Sequence, residues 1–301
     1  MAALKPSDYA RLATERPNPA TRDIDRLPTR RMVDLINSQD ALVAPAVRRQ
    51  SAVIARAAEA AAKALSGGGT LLFVGAGTSG RLGVLEAAEC PPTFGTSPRQ
   101  IRGVIAGGRG SMFKAKEGAE DDAAAGARTA AQLSRGDMLV GIAASGITPF
   151  VRGALQAARK RGCATALITS NPANAAGAAR FLIAPRVGPE VLTGSTRLKS
   201  GTAAKLCLNA LTTAAMIRLN KVYDHWMVDL KPTNRKLRLR AARLIAELGR
   251  VPPSRAEALL DASGRHVKTA VVMARRKLSA AEARTLLARR GGSLRKALEE
   301  R

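Results

Sequence analysis

The sequence predicts an α/β protein: a doubly wound, parallel, five-stranded sheet followed by a small helical domain. Three observations carry this expectation. Five short apolar runs, at 71–74, 101–105, 138–143, 164–169 and 181–184, alternate with stretches of helical periodicity. Two of these runs end in turns rich in glycine and hydroxyls, Gly75 to Gly80 and Ala144 to Thr148. A change of composition at Gly249-Arg250-Val251-Pro252-Pro253 then separates the alternating region from a short helical tail.

In chain order, residues 1–27 include Thr14-Glu15-Arg16-Pro17-Asn18-Pro19, too polar and proline-rich for regular structure, and read as an extended arm. Apolar residues at three-to-four spacing predict helices over 29–36 and 41–65, ending at Ser66-Gly67-Gly68-Gly69. The run 71–74 suits a strand buried on both faces. Gly75, Gly77 and Gly80 follow it and open a helix that should stop at Pro91-Pro92. After the strand 101–105, a long Ala-rich helix is expected over 111–133, then the strand 138–143 and a helix over 149–160. The turn 188–199 opens a helix reaching Asn220. Beyond 249, Ser254-x-x-Glu257 and Ser279-x-x-Glu282 read as capping boxes of a three- or four-helix unit. The expected organisation is therefore 1–66, arm and first helices; 67–248, sheet domain; 249–301, helical domain.

The first glycine turn is literally G-x-G-x-x-G, the dinucleotide fingerprint. That reading requires an acidic residue closing the second strand, and Ile101 to Ile105 runs instead into Ala106-Gly107-Gly108-Arg109. Thr78, Ser79 and Gly80 suit a terminal phosphate monoester better, held at a helix N-terminus where N–H groups lack partners and the dipole is positive. Ser145, Gly146 and Thr148 repeat this logic at the second turn, with Thr148 before Pro149 placed as an N-cap. An ordinary capped helix stands as the alternative there.

The net charge of +26 raises nucleic acid as a partner. Residues 231–301 hold 19 Lys and Arg against 6 Asp and Glu, so half of the surplus lies in the C-terminal quarter, and aromatics are only 3%. A solvated basic surface outweighs nucleic-acid binding. Cys90, Cys163 and Cys207 are widely separated, and His225 and His266 are the only histidines, which supports neither a disulfide framework nor a zinc site. No signal segment is evident, and the most apolar helix, 203–219, is interrupted by Lys205, Asn209 and Arg218. A soluble, cytoplasmic protein without cofactor or metal is expected.

The runs GAGTSGRLGVLEAAECPPTFGT, EGAED, GIAASGITPF, GPEVLTGSTRLKSGTAAKLCLN and KVYDHWMVDLKPTN, with the arm TERPNPATRDID, closely resemble the N-acetylmuramic acid 6-phosphate etherases of the sugar isomerase (SIS) superfamily. The resemblance runs from about residue 14 through the C-terminal helices. It implies a cytoplasmic homodimeric lyase that removes D-lactate from the C3 ether of a phosphosugar, with Glu89 and Glu120 as catalytic carboxylates. Ile147 and Phe150 stand where relatives often carry Arg and Tyr. A sugar-phosphate-sensing regulator of the same fold, without turnover, is the alternative.

The chemistry suits two carboxylates independently of the name. In the ring-opened sugar a base removes the C2 proton, acidified by the C1 aldehyde. A general acid protonates the departing lactyl oxygen, and water then adds back. Glu89 is expected in the last turn of its helix, where a carboxylate is disfavoured by the dipole, and so reads as the acid. Glu120 is expected within the Ala-rich helix. Ser195, in the turn 188–199, is placed to reach the sugar, against the alternative of a polar helix start. Ser79 and Glu89 are ten residues apart, about 15 Å of helix, which suggests one site shared between two subunits.

Overall fold

A computed structural model describes residues 12–299; the part of the arm before Leu12, and the expectation about a signal segment there, lie outside the described residues. The sheet is five-stranded and wholly parallel: β1 Leu71–Gly75, β2 Ile101–Ile105, β3 Met138–Ile142, β4 Ala164–Ile168 and β5 Phe181–Ile183. Its order is β2-β1-β3-β4-β5, with Leu71 paired to Ile101 on one side and Met138 on the other. Every residue of β1 and β3 is buried, as continuous apolar runs between helical layers require. From β1 the chain crosses first to β2 and then back to β3. The β1/β3 seam is thus the topological switch point, where the loops after the two strands diverge and leave a crevice.

The arm is not extended throughout. Three short 3-10 turns, Ala13–Glu15, Pro19–Thr21 and Ile24–Arg26, fold it onto the sheet unit. Leu12 and Thr14 are buried, the Thr21 hydroxyl donates to the Val191 carbonyl at 2.8 Å, and the Gly194 N–H donates to the Thr14 carbonyl at 3.0 Å. The helix expected over 41–65 is two, Val43–Arg48 and Ser51–Ser66, because Gln50 leaves helical geometry. Its side chain instead accepts the Ala184 N–H at 3.0 Å, tying this break to the end of β5.

Two further differences bear on function. The helix after β1, Gly77–Phe94, does not stop at Pro91-Pro92 but carries both prolines inside it. Glu89 therefore lies more than a turn before the helix end rather than in its last turn. The long helix expected over 111–133 is also absent: a 3-10 turn, Arg109–Met112, and a non-helical turn lead to the short helix Ala123–Thr129. Gly118, with φ +70°, interrupts the run, and Asp122 caps the short helix by accepting the Ala125 N–H at 2.7 Å. Glu120 sits in the turn that precedes this cap, not in a helix.

The chain divides into two compact units, one of residues 1–87 and 99–212, the other of 88–98 and 213–301. The composition change at Gly249 to Pro253 thus falls inside the second unit. Helix Arg235–Gly249 buries Ala241, Leu244 and Ile245 in one core with Ala256, Leu260, Val271 and Ala283 of the following helices. Four helices follow it: Pro253–Ala262, Val267–Arg276, Ala280–Arg289 and Leu294–Glu299. The Ser279/Glu282 capping box is present, whereas Ser254 lies inside its helix, whose N-cap is Pro252. Lys268 is buried in this unit, donating to Asp229 and to the carbonyls of Asn220 and Gly292 at 2.8–2.9 Å. Burial pushes its ammonium below the ordinary lysine range, against the pull of Asp229.

Candidate active site

A cavity of about 580 Å³ lies at the switch point. The turn after β1 contributes Gly77, Thr78 and Ser79 to its wall. The loop after β3 contributes Ala144, Ser145, Ile147, Thr148 and Pro149. Glu120 and Asp121 come from the turn before the short helix, Glu15 from the arm, and Gly194 and Thr196 from the turn before helix Lys199–Arg218. The structure thus brings together Thr78, Ser79, Ser145, Thr148 and Glu120, five of the residues expected from sequence. At the Ser195 turn the wall is formed by Gly194 and Thr196.

Gly80 and Gly146 shape the backbone. A methyl group on Gly80 would stand 2.6 Å from the Ile105 side chain, and the Gly80 N–H is already given to the Ala76 carbonyl at 3.1 Å. Gly146 has φ +75° beneath Thr169. Glu89 is exposed and belongs to the second unit.

Three of the helices that begin at the switch-point end of the sheet unit differ in what meets their first N–H groups. In Gly77–Phe94 the N–H groups of Gly77, Thr78 and Ser79 have no partner within the helix and border the cavity. In Pro149–Lys160 the first residue has no N–H, and Phe150 gives its own to the Glu120 carbonyl at 2.9 Å. Thr148 makes no capping hydrogen bond, so its hydroxyl is left to the cavity. In Lys199–Arg218 the wholly buried carboxylate of Glu190 takes the N–H groups of Lys199 and Ser200, both at 2.9 Å, and the Ser200 hydroxyl at 2.7 Å. One helix therefore offers backbone donors to an anion, the second offers hydroxyls, and the third is closed by the protein's own carboxylate. Burial pushes the Lys199 ammonium down from the usual lysine range, while Glu190 and Asp40 pull it up.

Glu120 is held beside this anion pole by a close helix crossing. A methyl group on Gly126 would collide with the Phe150 carbonyl, and one on Gly153 with the Ala123 carbonyl. The pair lets the backbones of the two helices touch, and the Phe150 N–H bond to the Glu120 carbonyl follows from that approach. Phe150 itself is buried in the core, whereas Ile147 faces the cavity.

Asn171, which sequence reasoning passed over, joins the arm to the second loop. Its amide donates to the Ala144 carbonyl at 2.9 Å and to the Thr14 hydroxyl at 3.1 Å, and its oxygen accepts the Ala13 N–H at 2.8 Å. The Ala144 carbonyl also receives the Thr169 hydroxyl and the Ser170 N–H, each at 3.0 Å. Asn171 stands more than 150 residues from Ala13 and Thr14 in sequence, so no local pattern marks that link.

Among the described residues no group of three or more His, Cys, Asp or Glu is arranged to hold a metal ion, and no helix is long and apolar enough to cross a membrane.

A parallel sheet with hydroxyl-bearing helix starts around a switch-point cavity defines a doubly wound α/β domain. Residues 53–159 match the family model described as the glucokinase regulatory protein N-terminal SIS domain. The chain is 51% identical over 291 residues to the N-acetylmuramic acid 6-phosphate etherase of Salmonella typhimurium, covering 96% of this chain and 98% of that protein. It is likewise 51% identical over 290 residues to the etherase of Serratia proteamaculans, covering 95% and 98%. Among solved structures, a phosphoheptose isomerase from Neisseria gonorrhoeae matches with a TM-score of 0.45 and 19% identity, over 62% of this chain and 97% of that one. At half identity over nearly its whole length, the chain belongs to the N-acetylmuramic acid 6-phosphate etherase family.

Proposed function

We propose that the switch-point cavity is where this etherase binds N-acetylmuramic acid 6-phosphate, releasing D-lactate and N-acetylglucosamine 6-phosphate in the recycling of cell-wall sugars. The observation that carries the placement is the open N-terminus of Gly77–Phe94, with Thr78 and Ser79, facing Ser145 and Thr148 in one cavity that also contains Glu120. The phosphate sits against the Thr78 and Ser79 N–H and hydroxyl groups, and the sugar extends toward Glu120. Thr196, at the far turn, faces the sugar end, with Ser195 next to it in the same turn. Gly80 and Gly146 serve this site through the backbone turns they permit.

Glu120 and Glu89 form the acid–base pair. The base takes the C2 proton of the open-chain aldehyde, and electrons move through the enolate to break the C3–O bond. The acid delivers its proton to the lactyl oxygen as it leaves. Water then adds at C3 of the unsaturated aldehyde, one carboxylate taking its proton and the other returning a proton to C2. Atoms balance with water as the only co-reactant. No step calls on a metal or cofactor.

A homodimer in the cytoplasm completes the proposal, with Glu89 of one chain serving the phosphate loop of its neighbour. The ten-residue separation of Ser79 and Glu89 along one helix motivates this. Nucleic acid has no part in it. Incubation with N-acetylmuramic acid 6-phosphate and assay of D-lactate tests the function; folded protein that releases no lactate would overturn it.

A further inference from the structure

We infer that Glu15, carried by the N-terminal arm, is a substrate-binding residue of the same cavity that accepts hydrogen bonds from neutral donors of the sugar, hydroxyl or amide N–H. This rests on the phosphosugar reading above and adds a specificity-determining group to it. Glu15 lines the cavity together with Glu120, Thr78 and Thr148, yet it stands 105 positions before Glu120 in the chain and on a different element.

Its backbone is fixed through the two residues before it. The adjoining Thr14 is fully buried and accepts the Gly194 N–H through its carbonyl and the Asn171 amide through its hydroxyl. Ala13 donates to Asn171. Gly194, with φ +77°, has no side chain where a methyl would come within 2.8 Å of the Glu15 carboxylate. So much anchoring around a side chain that itself has no hydrogen bond or ion pair with any described residue indicates a group held ready for something outside the protein.

Charge decides what that is. An ionised carboxylate accepts and cannot donate, so it binds O–H and N–H groups and repels anions. The anion pole lies at Thr78 and Ser79, and Glu15 is therefore matched to the uncharged part of the sugar. Glu15 takes no proton in the elimination; it orients the substrate through the sugar's hydroxyl or amide N–H groups.

The test compares Glu15→Ala and Glu15→Gln with the parent in steady-state lactate release, with inorganic phosphate as a competitive probe of the phosphate end alone. The expected result for Glu15→Ala is a KM raised about tenfold or more with kcat changed by less than about threefold. The inhibition constant of inorganic phosphate and the unfolding temperature should stay unchanged. Glu15→Gln, which keeps one acceptor oxygen, should lie between. An unchanged KM overturns the inference, and so does phosphate affinity falling in step with KM, which would mean a general loosening of the site. If the parent releases no lactate, the etherase reading fails separately. Calorimetric titration with N-acetylglucosamine 6-phosphate and with inorganic phosphate then makes the same comparison, and a parent that binds phosphate but not the sugar phosphate overturns both.

Discussion

Oε1 of Glu190 accepts both the backbone N–H and the hydroxyl of Ser200, at 2.9 and 2.7 Å, so the start of helix Lys199–Arg218 is neutralised from within the protein. The other carboxylate oxygen takes the Lys199 N–H. With that helix closed, the dipole of Gly77–Phe94 is the one left facing the cavity with its first N–H groups open. Glu190→Ala leaves two buried N–H groups and a hydroxyl without their acceptor. It should lower stability by about 2–3 kcal/mol, as for buried hydrogen bonds to charge. Denaturant unfolding measures it, and a change below about 0.5 kcal/mol would contradict the cap.

Gly153→Ala forces the helices Ala123–Thr129 and Pro149–Lys160 apart at their contact. Overpacking of this kind costs about 1–3 kcal/mol. Because the Phe150 N–H to Glu120 carbonyl bond spans the same contact, turnover should fall with stability. Lactate release at a temperature where the variant remains folded checks this. Normal kcat would show that Glu120 does not depend on the crossing.

Glu89→Gln and Glu120→Gln should each fold normally and lose about a hundredfold or more in kcat, the scale of losing a general acid or base. Heavy water separates their roles. The variant lacking the acid should still exchange the substrate C2 hydrogen for deuterium without releasing lactate, whereas the variant lacking the base should do neither. Exchange lost in both or kept in both would refute the division of labour.

Mixing Glu89→Gln subunits with Ser79→Arg subunits tests the shared site. If Glu89 acts on the neighbouring chain's phosphate loop, heterodimers of the two inactive parents should recover activity, with one intact site each. Heterodimers verified by mass and still inactive would place Glu89 in its own chain's reaction or the phosphate elsewhere.

Cys207 is fully buried in helix Lys199–Arg218, and desolvation pushes its thiol up to about 12. A thiol whose pKa is higher folded than unfolded stabilises the fold fully below the unfolded value, about 8.5. That contribution is lost as pH rises from there toward 12. Cys207→Ala should therefore show a flatter decline of stability on the alkaline side, apart from a uniform loss for the cavity it leaves. In native protein at pH 8 the Cys207 thiol should not react with a disulfide reagent that labels it after unfolding.

The sequence by itself determined the sheet, its two phosphate-type turns and the family. Short doubly buried strands leave continuous apolar runs, and glycine–hydroxyl turns lie within a few residues of the strands they end, so both are local signals. Thr78, Ser79, Ser145 and Thr148 could be named for that reason, whereas Glu120 was implied by the family resemblance. Local rules failed where packing overrode them: Pro91-Pro92 sit inside a continuing helix, and the Ala-rich run 111–133 breaks at Gly118, with Glu120 in the turn beyond it accepting the Phe150 N–H through its carbonyl. Only the tertiary structure decided which helix N-terminus stays open. That depends on Glu190 reaching across nine residues to Lys199, and on Phe150 giving its N–H to a residue thirty positions earlier. The tertiary fold also set Glu15 at the cavity, with Asn171 holding Ala13 and Thr14 just before it through hydrogen bonds spanning more than 150 residues. Such partners are chosen by the path of the chain in space, and no residue near either in sequence records the choice.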